Sequence, residues 1–455
     1  MRQGIGGWYR FACFPAAVVA VFAALAAPGQ AAASGSTTGQ APAPLIKQTF
    51  CNWTFANTGS APADGATRTT IMDINAGYWE LYISSGFAAG TRFKIEGEYP
   101  ATRYFSLQVT TDATRSLQTI AELPDFAIVP DVGSQSPYPA INSVDPSIAS
   151  GGHYTAYLVF SAKPANPEPN TLYVDPAKIS GFGGTISLTY RTYGDFAGVT
   201  IAQHGGVPLP DVSMDTSKGY VPMNELFTPW LCAPLIAFLD AFVVTPVAAI
   251  TTALMLPMHP GPIPALPVPP APVFQLRNPD STTDLAVNRD ARYVYTDSLS
   301  QMLGDLVVVR MRAPTFSTQP GGGSDPQLRY WSYCEGGNVN TIACMKDFDA
   351  TIDSDGFFNL VLSIPGKRPP NADAKHGFNW MTFGPEQPGV LIYRQLQPSP
   401  NFTQSAFDVP ENGTLEATMG DYLPVATYCS NAVFAAHTIA GDSAAKVFAG
   451  CQVGR

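Results

Sequence analysis

The chain has 455 residues, with 25 basic against 35 acidic side chains and a formal net charge of −10. An acidic chain with no basic run repels phosphate backbones and anionic headgroups, which argues against nucleic-acid binding. Charged residues make up only 13% and aromatic residues 11%, a composition that excludes a disordered solvating protein and is sufficient for full cores.

Residues 1–33 read as a secretory signal. Arg2 and Arg10 supply the positive start, Phe11 to Ala27 the apolar stretch, and Ala31-Ala32-Ala33 a cleavage site before Ser34. The rival reading, an uncleaved membrane anchor, is disfavoured by Pro15 inside the stretch and by the length of apolar helix a bilayer demands. A periplasmic or secreted protein is therefore expected. Residues 34–65 are rich in Ser, Thr, Gly, Ala and Pro and read as a flexible leader.

From 66 to 214 the pattern has period two. In Phe93-Lys94-Ile95-Glu96-Gly97-Glu98-Tyr99 the apolar or small residues share one face and the charged ones the other, as a half-buried strand requires. HYTAYLVF and TISLTYRTY continue the pattern between Gly- and Pro-rich turns. Residues 215–287 form a Pro-rich hydrophobic connector. Within it Leu226–Pro257 is almost wholly apolar apart from Asp240 and its prolines. Asp240 and Pro246 make a poor transmembrane helix. A buried helical pair is expected, with a lid over an apolar cavity, a membrane-dipping hairpin or contact with another protomer as alternatives. Residues 288–410 return to strand-like runs, DLVVVRMRA, LRYWSY, FFNLVLSI and GVLIYRQL, and 411–455 is a C-terminal extension. The fold class expected is all-β: two tandem jelly-roll-like antiparallel sandwiches.

The two β regions repeat their landmarks. Arg103-Tyr104-Phe105-Ser106 is matched by Arg329-Tyr330-Trp331-Ser332, and Tyr190-Arg191 by Tyr393-Arg394, in the same order. Internal duplication is the expected cause. Unequal spacing does not oppose it, because surface loops tolerate insertion at small cost.

Beyond the signal there are six cysteines, Cys51, Cys232, Cys334, Cys344, Cys429 and Cys451, an even number that points to disulfides in an oxidising compartment. Locality favours Cys334–Cys344 and Cys429–Cys451, the second tying the C-terminal extension, and leaves Cys51 with Cys232. No C-x-x-C or H-E-x-x-H is present, so neither a metal nor a cofactor is expected.

DGFFNLVLSIP, Asn379-Trp380 and PGVLIYRQLQPSP resemble a bacterial family known only as a domain of unknown function, the twelve-fourteen family, often found with the twelve-fifty-four family. The matching positions are Trp331-Ser332, Asp355-Gly356, Asn379-Trp380 and Tyr393-Arg394. In the first copy they are Phe105-Ser106-Leu107, Asn170-Thr171-Leu172 and Tyr190-Arg191, with Thr171 in place of the Trp. The resemblance implies exported, jelly-roll-like sandwiches and no particular chemistry.

Candidate ligand-binding residues are Arg103, Tyr104, Arg191, Arg329, Tyr330, Trp331, His376, Trp380 and Arg394. A guanidinium is a rigid fork for a carboxylate, and adjacent aromatics add apolar surface with a polar tip. The plainer reading is an Arg paired with a carboxylate across the sandwich. His376 precedes the Asn-Trp loop, but as a general base it needs a partner and a cleft. Asp347-Phe348-Asp349 and Asp353-Ser354-Asp355-Gly356 hint at calcium, although their spacing is not that of an EF-hand and a D-G turn accounts for the second. No G-x-S-x-G elbow or phosphate-cradling Gly loop occurs, and the catalytic residues, if any, are not legible. The function expected is binding of a small apolar or aromatic organic ligand, an organic acid among them, at or between the sandwiches. An extracytoplasmic enzyme of hydrolase, lyase or isomerase type and a structural envelope protein are the alternatives.

Overall fold

The period-two segments become strands of two β sandwiches. The computed structural model describes residues 53–58, 73–84, 87–111, 119–145, 152–179, 185–195, 201–223, 271–277, 288–300, 303–317, 325–336, 341–384 and 389–453. Residues 1–33, Cys51, Cys232 and the Leu226–Pro257 segment lie outside these residues.

The first sandwich contains β1 (Thr54–Thr58), β2 (Ala76–Ser84), β3 (Arg92–Glu98), β4 (Thr102–Thr111), β5 (Thr119–Pro124), β6 (His153–Val159), β7 (Thr171–Tyr173), β8 (Thr185–Asp195), β9 (Asp211–Thr216) and β10 (Gly219–Pro222). The second contains β11 (Gln275–Arg277), β12 (Ala291–Leu299), β13 (Leu306–Arg312), β14 (Leu328–Gly336), β15 (Thr341–Lys346), β16 (Phe357–Ser363), β17 (Asn379–Thr382), β18 (Gly389–Pro398) and β19 (Val425–Cys429). One sheet of each is ordered β1-β2-β8-β4-β5 and β11-β12-β18-β14-β15; the others are β10-β9-β3-β6-β7 and β17-β16-β13-β19. Strand for strand, the second set repeats the first, with no counterpart of β10 among the described residues. Registers agree as well: Ser106 lies opposite Arg191 and Ser332 opposite Arg394, and Arg103 and Arg329 are each the second residue of equivalent strands.

Two expectations need correction. The sheets are not purely antiparallel, because β6–β7 and β16–β17 run parallel. The sandwiches also outrun their expected limits. Backbone pairing takes β1 from the expected leader, β10 and β11 from the connector, and β19 from the C-terminal extension. The second sandwich is therefore not complete before Cys429.

β3 and β6 bury alternate residues, Phe93 and Ile95 and then Tyr154, Ala156 and Leu158, as one-sided strands do. By contrast β14 is buried along its whole length. One face of the β4 and β14 sheets fills its own core, with Phe105, Leu107 and Tyr190 in the first and Trp331, Tyr333 and Tyr393 in the second. The other faces meet in a smaller cluster, where Tyr104 and Tyr193 of the first sandwich join Tyr330 and Leu396 of the second. The Tyr193 and Tyr330 rings lie 5.5 Å apart. Strand β13 is buried on both faces for a different reason. Leu306 and Val308 point away from the core into a third cluster with Phe434, Val447 and Phe448 of helices α2 (Asn431–Ile439) and α3 (Ala444–Val453), which follow α1 (Leu415–Met419). Ser430 caps α2 by accepting from the Val433 N–H. Cys429–Cys451 joins β19 to α3, and Cys334–Cys344 joins directly opposed residues of β14 and β15.

Candidate functional site

Two polar constellations stand out, one buried between the sandwiches and one open at the surface. In the first, each sandwich sends an arginine to the other. Arg103 grips both carboxylate oxygens of Asp347, and its Nη2 also donates to the Arg329 carbonyl at 2.5 Å. Arg329 Nη1 returns the contact, donating to Asp125 at 2.9 Å and to the Arg103 carbonyl at 3.2 Å. Each acid sits in a one-turn 3-10 segment, Asp125–Ala127 or Asp347–Asp349. Each also accepts a backbone N–H from the strand beside it, Phe105 or Trp331. All four side chains are essentially excluded from water. Burial pushes Asp125 up to about 6 even with Arg329 beside it, a measure of how far desolvation opposes the charge.

Arg394 extends the exchange. Its Nη1 donates to Asp73 Oδ2 at 2.9 Å and to Ser332 Oγ at 3.1 Å. Ser332 and Tyr330 hydroxyls donate to the same carboxylate at 2.6 and 2.8 Å. On the opposite side Tyr104 OH donates to Asp290 Oδ2 at 2.8 Å, and Arg191 stacks over Tyr78 at 5.2 Å. Burial holds the Tyr104 and Tyr330 phenols well above their ordinary value, so neither is a source of phenolate. Trp331 is fully buried and donates its Nε1–H to the Pro314 carbonyl at 3.0 Å.

An organic acid at these residues would have to displace the protein's own carboxylates. Arg103, Arg329 and Arg394 are held by the protein's own carboxylates, and the aromatic side chains Tyr104, Tyr330 and Trp331 are packed without solvent access. The aspartates that hint at calcium have protein partners instead. Asp347 is the partner of Arg103. Asp353 accepts from Arg310 and Asn359 at Oδ2, and from the N–H groups of Asp355 and Phe357 at Oδ1, while Gly356 closes the D-G turn at φ 84. Among the described residues, the one group of three metal-ligating types is Asp73, Cys334 and Cys344, and both sulfurs are committed to the disulfide.

The second constellation is a groove of about 310 Å³ on the second sandwich. The D-G turn (Asp353, Ser354, Asp355) forms one wall, the Ala374–Gly377 turn another, and Ser443-Ala444 at the start of α3 a third. Asp373 caps the one-turn helix Ala374–His376 by accepting the His376 N–H, and Gly377 ends it in the left-handed conformation at φ 77. The same carboxylate lies 2.7 Å from His376 Nδ1, and the ring holds it below the usual carboxylate range. An ionised Asp373 makes Nδ1 the donor, so Nε2 is the acceptor of the neutral ring. His376 thus has both the partner and the cleft that its sequence context left open. Asp353, lining the same groove, is opposed by burial but kept below the usual range by its bonds from Arg310 and Asn359.

Trp380 is not in the groove. It packs against the third cluster, donates to Ser363 Oγ at 3.0 Å and stacks under Arg368 at 4.5 Å. The Asn before it is a clamp. Asn379 accepts the Thr351 N–H and donates to the Thr351 and Asn359 carbonyls. Asn170 does the same with Val129 and Thr155. Replacing buried Asn379 by Ala is expected to cost about 2 kcal/mol, and the half-buried Asn170 about half that; denaturant midpoints of the two variants measure it.

No family model matches the chain, and no curated protein matches it. A solved structure of an uncharacterised protein from Burkholderia cenocepacia is similar at 12% identity, covering 76% of this chain and 79% of that one, with a TM-score of 0.47. A tandem CBM22 domain of Paenibacillus barcinonensis Xyn10C shows 10% identity over 84% and 93% of the two chains, with a TM-score of 0.15. Likenesses of this degree carry no functional argument.

Proposed function

We propose that this is an exported, duplicated binding protein whose two sandwiches act as one scaffold and which takes a small polar ligand in the groove beside His376. The observation that carries the reading is the Asp373–His376 pair at 2.7 Å set in a groove of about 310 Å³, a volume suited to a small molecule. The lining favours hydroxyl-bearing compounds: Ser354, Ser443, Lys375 and His376 stand there beside the Asp353 and Asp355 carboxylates. This replaces an aromatic acid held by Arg103 or Arg329. Export is supported by the N-terminal signal pattern and two disulfides, and among the described residues no helix is long and apolar enough to cross a membrane. Duplication is supported by the matched strand order, registers and Asn clamps, and the resemblance to the twelve-fourteen family would place both copies in it.

The Asp–His pair also favours an enzymatic reading, with His376 as general base. Titrating the exported chain with sugars, hydroxy acids and amino acids, followed by amide chemical shifts, tests both. Shifts centred on 353–355, 374–377 and 443–444, with affinity lowered about tenfold or more in His376→Ala, are expected from a lost hydrogen bond. Binding elsewhere, or unchanged in that variant, ends the proposal. Turnover of a bound compound that vanishes in both His376→Ala and Asp373→Asn selects the enzyme.

A further inference from the structure

The two ends of the buried network are built alike but not charged alike. At one end Asp73 holds Arg394, Ser332 and Tyr330 together. The corresponding position at the other end is Asn288. Its turn is the same: Asn288 Oδ1 accepts the Asp290 N–H as Asp73 Oδ1 accepts that of Asn75, both at 2.9 Å. The neutral amide cannot supply Asp73's charge. Asn288 Nδ2 is buried without a hydrogen-bond partner, and so is Ser106 Oγ, the counterpart of Ser332.

Two other acids occupy this end, one from each sandwich. Glu122 on β5 lies opposite Gln108, in the place that Cys344 takes opposite Cys334. Its Oε2 accepts the Arg289 N–H at 3.2 Å, while its buried Oε1 has no hydrogen-bond partner. Asp290, the next residue along, accepts from Tyr104. Among the described residues no ion pair reaches either acid. Glu122 faces Asp290, Arg191 and Arg289, and Asp290 faces Tyr104, Arg329, Arg191 and Arg292. The Arg289 and Arg292 guanidinium groups donate to backbone carbonyls, those of Thr119, Arg289 and Ala291.

We propose that Glu122, bonded across the sandwiches to the N–H of the residue before Asp290, is a proton-linked latch, closed while its carboxyl is protonated and loosened when it ionises alongside Asp290. Burial first, and then the neighbouring Asp290, push Glu122 up to about 8 against the pull of Arg191; burial also raises Asp290. A carboxyl whose value is higher folded than unfolded binds its proton more tightly in the fold. Stability from this pair is therefore lost as pH rises from the ordinary glutamate range through about 8, and is flat beyond.

The test uses the full exported chain. Carbon-detected NMR of its glutamate carboxyls is expected to show Glu122 titrating well above the other glutamates. Across the same pH span, amide exchange corrected for its intrinsic rate should accelerate in 119–124 and 288–292, and Tm should fall by a few degrees. Glu122→Gln removes that pH step and leaves the rest of the profile in place; Asp290→Asn, lacking the like charge, lowers the Glu122 titration, while burial still holds it above the other glutamates. A Glu122 carboxyl titrating with the bulk in the unmodified chain overturns the latch whether or not either variant folds, and so does a Glu122→Gln protein that keeps the step.

Discussion

Asp347→Ala is expected to destabilise the protein by about 3–5 kcal/mol, because it strands the Arg103 guanidinium in a site with no water and no other carboxylate bonded to it. The attraction within the pair is not the main quantity. Each buried ion was desolvated on folding, and removing one partner leaves the other's penalty uncompensated. The double variant Arg103→Met with Asp347→Leu should therefore recover much of the loss. Arg329→Ala, at the reciprocal contact, should behave like Asp347→Ala. Lys367–Asp305, an exposed pair at 2.9 Å, is the internal control and should change stability by less than about 1 kcal/mol. Equilibrium denaturation of the five proteins decides the matter. Single and double variants of equal stability would mean that the exchange does not hold the sandwiches together.

Removing the Cys429–Cys451 bond as a double serine variant should cost about 3 kcal/mol, the loop entropy of a separation of 22 residues. The damage should be local. Helices α2 and α3 cover Leu306, Val308 and Val361, and α3 begins with the Ser443 and Ala444 that wall the groove. Early protease cleavage after residue 430, with β12, β14 and β18 still protected, is the expected pattern. Loss of ligand affinity without loss of the sandwiches should accompany it. Cleavage spread evenly over the chain would show instead that the bond stabilises the second sandwich as a whole.

Much of this architecture was legible in sequence. Arg92, Lys94 and Glu96 alternate with Phe93 and Ile95, so β3 announces one wet face. The matched Arg and Tyr-Arg landmarks fall on equivalent strands because each is fixed by its register. The continuous run Leu306-Val307-Val308-Val309 signals burial on both faces, which requires a cover that the apolar C-terminal segment provides. What pattern reading missed was the destination of the arginines. Their partners lie over 200 positions away, in the other sandwich, and period-two analysis carries no information across that distance. One signal was present. Asp125-Phe126 and Asp347-Phe348 recur after equivalent strands, an Asp-Phe repeat matching the Arg repeat. The groove was harder to see, because it gathers turns around residues 354, 376 and 443 with no common motif.

The exchanged arginines also bear on assembly. A contact in which Arg103 meets Asp347 while Arg329 meets Asp125 is self-complementary, like the interface of a twofold dimer. The first sandwich of one molecule is therefore as good a partner for the second sandwich of a neighbour as for its own. The covalent joint alone favours the internal match, by raising the effective concentration of each half near the other. Refolding from denaturant at high protein concentration should accordingly yield domain-swapped dimers with all the native ion pairs, which dilution alone returns to monomers only as slowly as the sandwiches part.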